Sequence, residues 1–191
     1  DFDLALRSYL EISKKFGQYL QAFELISDVG LQFLEETKLV QSSVQRSKSE
    51  WHVLMELGFN NSSVEQDVYE TLEDLCNRDM ICDVVIGETE SKARKLWKTR
   101  EDIPEANRKI GAITSHDISL PLENMESFIN KSLIEIKKIN RFLRVNCFGH
   151  MGDGNLHFNI FPPLGESNSK YIAIKSKLTE TINNNCKNLG G

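Results

Sequence analysis

What the chain lacks narrows its class. No apolar run approaches the ~20 residues needed to span a bilayer. The opening stretch DFDLALR is acidic and has none of the basic-then-apolar order of a secretion signal. Basic residues are outnumbered, 23 Lys and Arg against 28 Asp and Glu, for a net charge of −5. That balance weighs against nucleic acid or an anionic membrane surface as a partner. Cysteine is scarce: Cys76, Cys82, Cys147 and Cys186 form no C-x-x-C pair and lie in apolar or helical stretches. They are expected to be reduced thiols, which points to the cytoplasm or, in a eukaryote, the mitochondrial matrix. Internal repeats and low-complexity segments are absent.

What is present is an ordinary globular composition, 40% hydrophobic and 27% charged over 191 residues, enough to bury a core. Tyr9, Ile12, Phe16 and Tyr19 recur at helical spacing, so residues 3 to 16 read as an amphipathic helix. QAFELI (21–26) reads as a short strand, with a helix through VGLQFLEET after it. WHVLMEL (51–57) alternates as a strand does. NNSS (60–63) supplies an N-cap to a helix carrying Val64, Val68, Leu72 and Leu75. ICDVVIG (81–87) reads as a strand by its β-branched content. A charged helix over 90–109 is interrupted near Pro104. AITSHDISLP (112–121) reads as a strand and is followed by a helix on Leu122, Met125, Ile129, Leu133 and Ile136. RVNCFGH and LHFNIF form two strands joined by MGDGN. A last helix begins near 168, with Tyr171, Ile174, Leu178, Ile182 and Leu189 inward. Residues 37–50 are expected to be a mobile loop. The order predicts an α+β fold, a largely antiparallel or mixed sheet with helices on one face and ferredoxin-like units.

Histidine is as scarce as cysteine, four in all, yet two of them flank one turn in CFGHMGDGNLHFNIFPP (147–163). Asp153-Gly154 is a turn signal, and Gly152 permits unusual dihedrals beside it. Beyond the turn, His157 and Asn159 share one strand face while Leu156, Phe158 and Ile160 share the other. His150 ends the incoming strand, so both imidazoles can approach one metal ion, with a third ligand required from elsewhere.

FGHMGDGNLHFNI resembles the G-H-x-G-D-G-N-L-H-x-N signature of the C-terminal domain of FAD-linked oxidases. That group contains D-2-hydroxyglutarate dehydrogenase, D-lactate dehydrogenase and the glycolate oxidase D subunit. AFELISDVGLQFL, WHVLMEL, LWKTREDIPEA and HDISLP are similar to further segments of the same family, so the resemblance covers the chain from about residue 20 onward. It implies that residues 1–191 form the substrate- and metal-binding (cap) domain of a flavin-dependent D-2-hydroxy acid dehydrogenase. In that family the alcohol becomes a 2-oxo acid by hydride transfer to FAD.

By the same resemblance, His150 and His157 would bind a divalent metal, zinc above all, and Arg100 would clamp the substrate carboxylate. Asn159 would hydrogen-bond the substrate, and Asn155 with the turn glycines would line the flavin side of the pocket. The catalytic base is expected beyond Gly191, in a segment whose glutamate completes the metal site. The FAD-binding domain is expected to precede residue 1, so the chain is read as a fragment, inactive alone. Two departures stand out: Ser115 replaces a family lysine, and Pro104 replaces a hydroxyl residue. Both remove donors for a second carboxylate and weigh against a dicarboxylate substrate. A catalytically silent interaction or regulatory domain, and a stand-alone metal module, are the competing expectations. A homodimer is left open.

Overall fold

A computed structural model describes residues 1–39 and 49–191. The loop expected over 37–50 lies mostly outside the described residues. Among these described residues five strands form one antiparallel sheet in the order β2-β1-β4-β5-β3: β1 (Leu20–Ser27), β2 (Trp51–Leu57), β3 (Thr114–Ser119), β4 (Arg144–His150) and β5 (Asn155–Phe161). Among the described residues seven α-helices accompany them: α1 (Phe2–Phe16), α2 (Asp28–Glu36), α3 (Ser62–Asn77), α4 (Glu90–Glu101), α5 (Ile103–Ile110), α6 (Leu122–Ile139) and α7 (Ile172–Asn188). The α+β class and the antiparallel sheet are as the sequence predicts.

Period-two patterning decides which face of the sheet is covered by what. Phe23 and Leu25 of β1, Cys147 of β4, and Leu156, Phe158 and Ile160 of β5 project to one side. There they meet Ile12 and Phe16 of α1, Val64 and Leu75 of α3, Met125, Phe128 and Ile129 of α6, and Leu178 and Ile182 of α7. Phe128 and Phe158 pack edge to face at 5.3 Å between centroids, the preferred arrangement of two ring quadrupoles. Helices are not confined to that side. On the second face, Ile26, Phe148 and Phe161 form a smaller cluster with Leu31, Phe33 and Leu34 of α2 and Ile103 and Ala106 of α5. This cluster covers only part of the second face, and the polar residues lie beside it.

Local signals account for the element ends. Asn61 caps α3 by accepting from the Ser63 amide at 3.0 Å, and Thr89 caps α4 through the Lys92 amide. Pro104 sits in the first turn of α5, where its missing N–H costs nothing, so the charged stretch breaks into two helices there. The strand expected over 81–87 does not form: residues 83–88 are irregular, and Val85 is 62% exposed. β-branched content alone is insufficient where no neighbouring strand offers backbone partners.

The β4–β5 connection also differs from a two-residue turn. Met151–Asp153 forms a single 3-10 turn, and Gly154, at φ 66°, takes the left-handed conformation. Gly154 also lies so close to the Leu120 carbonyl that a Cβ would collide with it. The conformational freedom expected of Gly152 is therefore exercised at Gly154, since Gly152 is not among the residues with positive φ.

Candidate active site

Register places the polar residues in rows across the second face of the sheet, because directly opposed residues point the same way. Glu24 of β1 faces His150 of β4. Phe148 of β4 faces His157 of β5, which in turn faces Asp117 of β3. Asn146 faces Asn159, and Asn159 faces Ser115. Residues 93 positions apart in the chain, Glu24 and Asp117, thus come to one surface, and α4 lowers Arg100 onto it.

Arg100 is the buried residue of an otherwise highly charged helix, 8% exposed. Its Nε donates to Glu24 Oε2 at 2.7 Å, and its guanidinium carbon lies 4.6 Å from the centre of the Phe148 ring. The other Glu24 oxygen contacts His150 Nδ1. On the same helix, Trp97 Nε1 donates to Glu56 Oε2 at 2.7 Å, which ties α4 to β2 and fixes the height from which Arg100 reaches inward. Trp97 therefore has a positioning contact as well as the packing role its type suggests.

The His150 and His157 rings lie 6.3 Å apart between centroids and nearly perpendicular, at 73°. The turn does bring the two imidazoles to one place. His150 is half exposed, whereas His157 stacks at 4.9 Å on Phe148 and has Nδ1 3.4 Å from Asp117 Oδ1. Burial holds the His157 pKa below the usual 6.5; Asp117 opposes this, and Arg100 and His150 add to it. The neutral, ligand-competent ring is therefore favoured near neutral pH. No group of three or more His, Cys, Asp or Glu able to hold a metal converges among the described residues.

Asn159 is buried on the same face, above Asn146, whose amide donates to Asn107 and whose carbonyl accepts from Ser27. Asn155 is more committed: its amide donates to Asp117 Oδ1 at 2.8 Å and to the Ile118 carbonyl at 3.2 Å, pinning β5 to β3. Ser115 is exposed at the outer strand, and Pro104 lies one turn beyond Arg100. His116 points to the opposite face, its Nε2 buried without a partner and its pKa lowered by burial.

Three residues of this surface were not singled out from the sequence: Glu24, Phe148 and Asp117. Glu24 had a readable signal, a lone carboxylate in the apolar run AFELI. An unpaired buried charge is too costly to keep, so such a residue announces a partner. Which partner is a matter of tertiary contact.

Burying Arg100 and Glu24 together is a poor way to stabilise a fold, because desolvation of both charges offsets their attraction. A cationic group beside two imidazoles and a buried amide suits recognition of a small hydroxylated carboxylate: guanidinium for the anion, ring nitrogens for the hydroxyl or a cation.

Comparison with known proteins gives the chain a family. The family described as FAD linked oxidases, C-terminal domain, matches residues 1–190. A mitochondrial protein of Schizosaccharomyces pombe, provisionally named a D-lactate dehydrogenase, is 32% identical over 169 residues, covering 83% of this chain and 32% of the relative. The mitochondrial D-2-hydroxyglutarate dehydrogenase of Arabidopsis thaliana is 27% identical over 167 residues, 86% of this chain and 29% of the relative. A D-2-hydroxyglutarate dehydrogenase of Xanthomonas citri pv. viticola is 26% identical over 187 residues, 94% of this chain and 38% of the relative. The chain spans about a third of the length of these relatives.

Proposed function

The chain belongs to the FAD linked oxidase C-terminal domain family, and from that premise we propose that it forms the substrate-holding domain of a flavin-dependent D-2-hydroxy acid dehydrogenase. The observation that carries this reading is the buried Arg100–Glu24 pair set against His150 and His157 on one sheet face. Names of relatives supply two candidate substrates, D-lactate and D-2-hydroxyglutarate, and glycolate is a third. The mitochondrial names support a mitochondrial compartment where the source is eukaryotic. Among the described residues no helix is long and apolar enough to cross a membrane.

In this reading Arg100 grips the substrate carboxylate. A guanidinium does not lose its proton, and with Nε committed to Glu24 its remaining donors are free to take two oxygens. Phe148 beneath it excludes water and strengthens the charge interaction. Asn159 orients the hydroxy acid by hydrogen bonding from the neighbouring strand. Asn155 holds the turn and β3 in place on the side assigned to the flavin. Flavin, when bound, would accept the hydride, and a divalent metal such as zinc would lower the pKa of the substrate hydroxyl.

Two imidazoles, one oriented through Nδ1 by a carboxylate, fit two positions of such a metal site. His150 and His157 would supply them, with the remaining donors coming from outside the described residues. Neither Ser115 nor Pro104 supplies a cation for a second carboxylate, which favours a monocarboxylate such as D-lactate.

The test is turnover of the intact protein with D-lactate, D-2-hydroxyglutarate and glycolate, with and without chelator, alongside Arg100→Ala and His150→Ala. The expected result is a loss of 10²-fold or more in kcat/KM for each variant, the scale of a lost positioned contact. Unchanged activity in both variants would instead assign the domain a silent, structural or regulatory role.

A further inference from the structure

We propose that Glu24 is a positioning residue that sets the arginine clamp and the His150 imidazole relative to each other, an inference resting on the functional reading above. Glu24 is 3% exposed and is the direct cross-strand neighbour of His150. Each of its oxygens has a different partner: Oε2 takes Arg100 Nε at 2.7 Å, and Oε1 takes His150 Nδ1. An ionised carboxylate can only accept hydrogen bonds, so both partners must donate. Arg100 always can. His150 can only if Nδ1 carries the proton, and in the neutral ring that tautomer leaves the Nε2 lone pair for a cation or a substrate hydroxyl.

A 2-hydroxy acid presents two handles, a carboxylate and the adjacent hydroxyl, at a fixed separation. One carboxylate that anchors both receiving groups therefore fixes the separation at which they meet the substrate. Phe148 supports the same alignment from below, with the guanidinium 4.6 Å over its ring and the His157 ring 4.9 Å away. Packing alone does not account for Glu24: an apolar residue of similar volume would fill the space without the desolvation cost.

The experiment uses the intact flavin-bound protein as wild type, Glu24→Gln and Glu24→Asp, with Arg100→Ala and His150→Ala as references. Glutamine keeps the shape but offers one acceptor and one donor group, so if it accepts from Arg100 it turns a donor toward His150 Nδ1 and moves the ring proton to Nε2. Aspartate keeps the charge but is one methylene shorter. Three quantities are read: the split of KM and kcat for the 2-hydroxy acid, Zn²⁺ affinity by competition with a chromophoric chelator without turnover, and the flavin absorption spectrum. For Glu24→Gln, KM is expected to rise about 10-fold and Zn²⁺ affinity to fall about 10- to 100-fold, the range for a lost metal-orienting contact. The flavin spectrum should not change. Glu24→Asp should recover part of both losses.

Wild-type KM and Zn²⁺ affinity in Glu24→Gln, while the two reference variants are impaired, would overturn this inference alone. Wild-type values in the reference variants as well would overturn the functional reading and this inference with it. Should Glu24→Gln not fold, wild-type KM and Zn²⁺ affinity in Glu24→Asp would refute the proposal.

Discussion

Exchange of Phe148 for leucine tests the logic of the site at its most physical point. Phe148 is buried on the second face of the sheet, with Arg100 over one part of its ring and His157 against another. Leucine preserves most of the apolar volume and removes the aromatic face. A cation over a ring is worth about 2 kcal/mol when desolvated, and the Arg100 side chain, 10% exposed, sits at that end of the range. Repacking a nearly volume-conserving exchange adds up to about 1.5 kcal/mol.

Together they come to about 2–3.5 kcal/mol, which lowers the urea midpoint by about 1–1.8 M if the slope is near 2 kcal/mol per molar. The cation–ring share is isolated by a double-mutant cycle with Arg100→Met, which cancels the large cost of leaving Glu24 without its partner. A coupling of 1 to 2 kcal/mol is expected. A coupling below about 0.5 kcal/mol, within the usual error of additivity, would refute the claim that the ring holds the guanidinium in place.

Three further outcomes follow from the geometry. Gly154→Ala places a side chain at φ 66° and against the Leu120 carbonyl; a loss of about 2–3 kcal/mol is expected, read as a fall in thermal midpoint of about 5–10 °C. His116 has its pKa lowered from 6.5 by burial, so the unfolded chain binds more protons in the interval below 6.5. Its contribution is therefore present above that pH and lost as pH falls through the depressed folded value; urea midpoints between pH 7.5 and 5 should fall, and His116→Gln should flatten the trend. Among the four thiols, Cys82 is exposed whereas Cys147 is buried with its pKa pushed well up; iodoacetamide followed by mass spectrometry should label Cys82 in the native protein and Cys147 only after unfolding.

Most of the fold was legible because its elements carry strong local signals. The stripe on α6, the N-cap at Asn61 and the alternation through LHFNIF each fixed an element from its own residues. The stretch over 81–87 was misread for the reverse reason: its β-branched residues met the local criterion, yet among the described residues they pair with no strand of the sheet. The site divides in the same way. His150 and His157 are seven residues apart, and the turn between them reveals their proximity. Glu24 lies 126 positions from His150, and no periodicity connects the two. Arg100 was singled out by the family resemblance, since nothing local sets it apart from the other charges of KARKLWKTRED; its burial depends on Trp97 docking on β2 and on the Glu24 carboxylate beneath it, both products of tertiary structure.

Strand β5 has a consequence for how variation in this protein should be interpreted. Leu156, Phe158 and Ile160 answer to the oily interior, and an exchange there shortens the lifetime of the folded molecule whatever the substrate. His157 and Asn159, interleaved with them, face the other side of the sheet, and under the proposed function an exchange there is expected to cost the chemistry as well as the local packing. The strand therefore carries two kinds of demand on alternate residues from Leu156 to Ile160, an apolar interior on one face and, in the proposed reading, the substrate on the other.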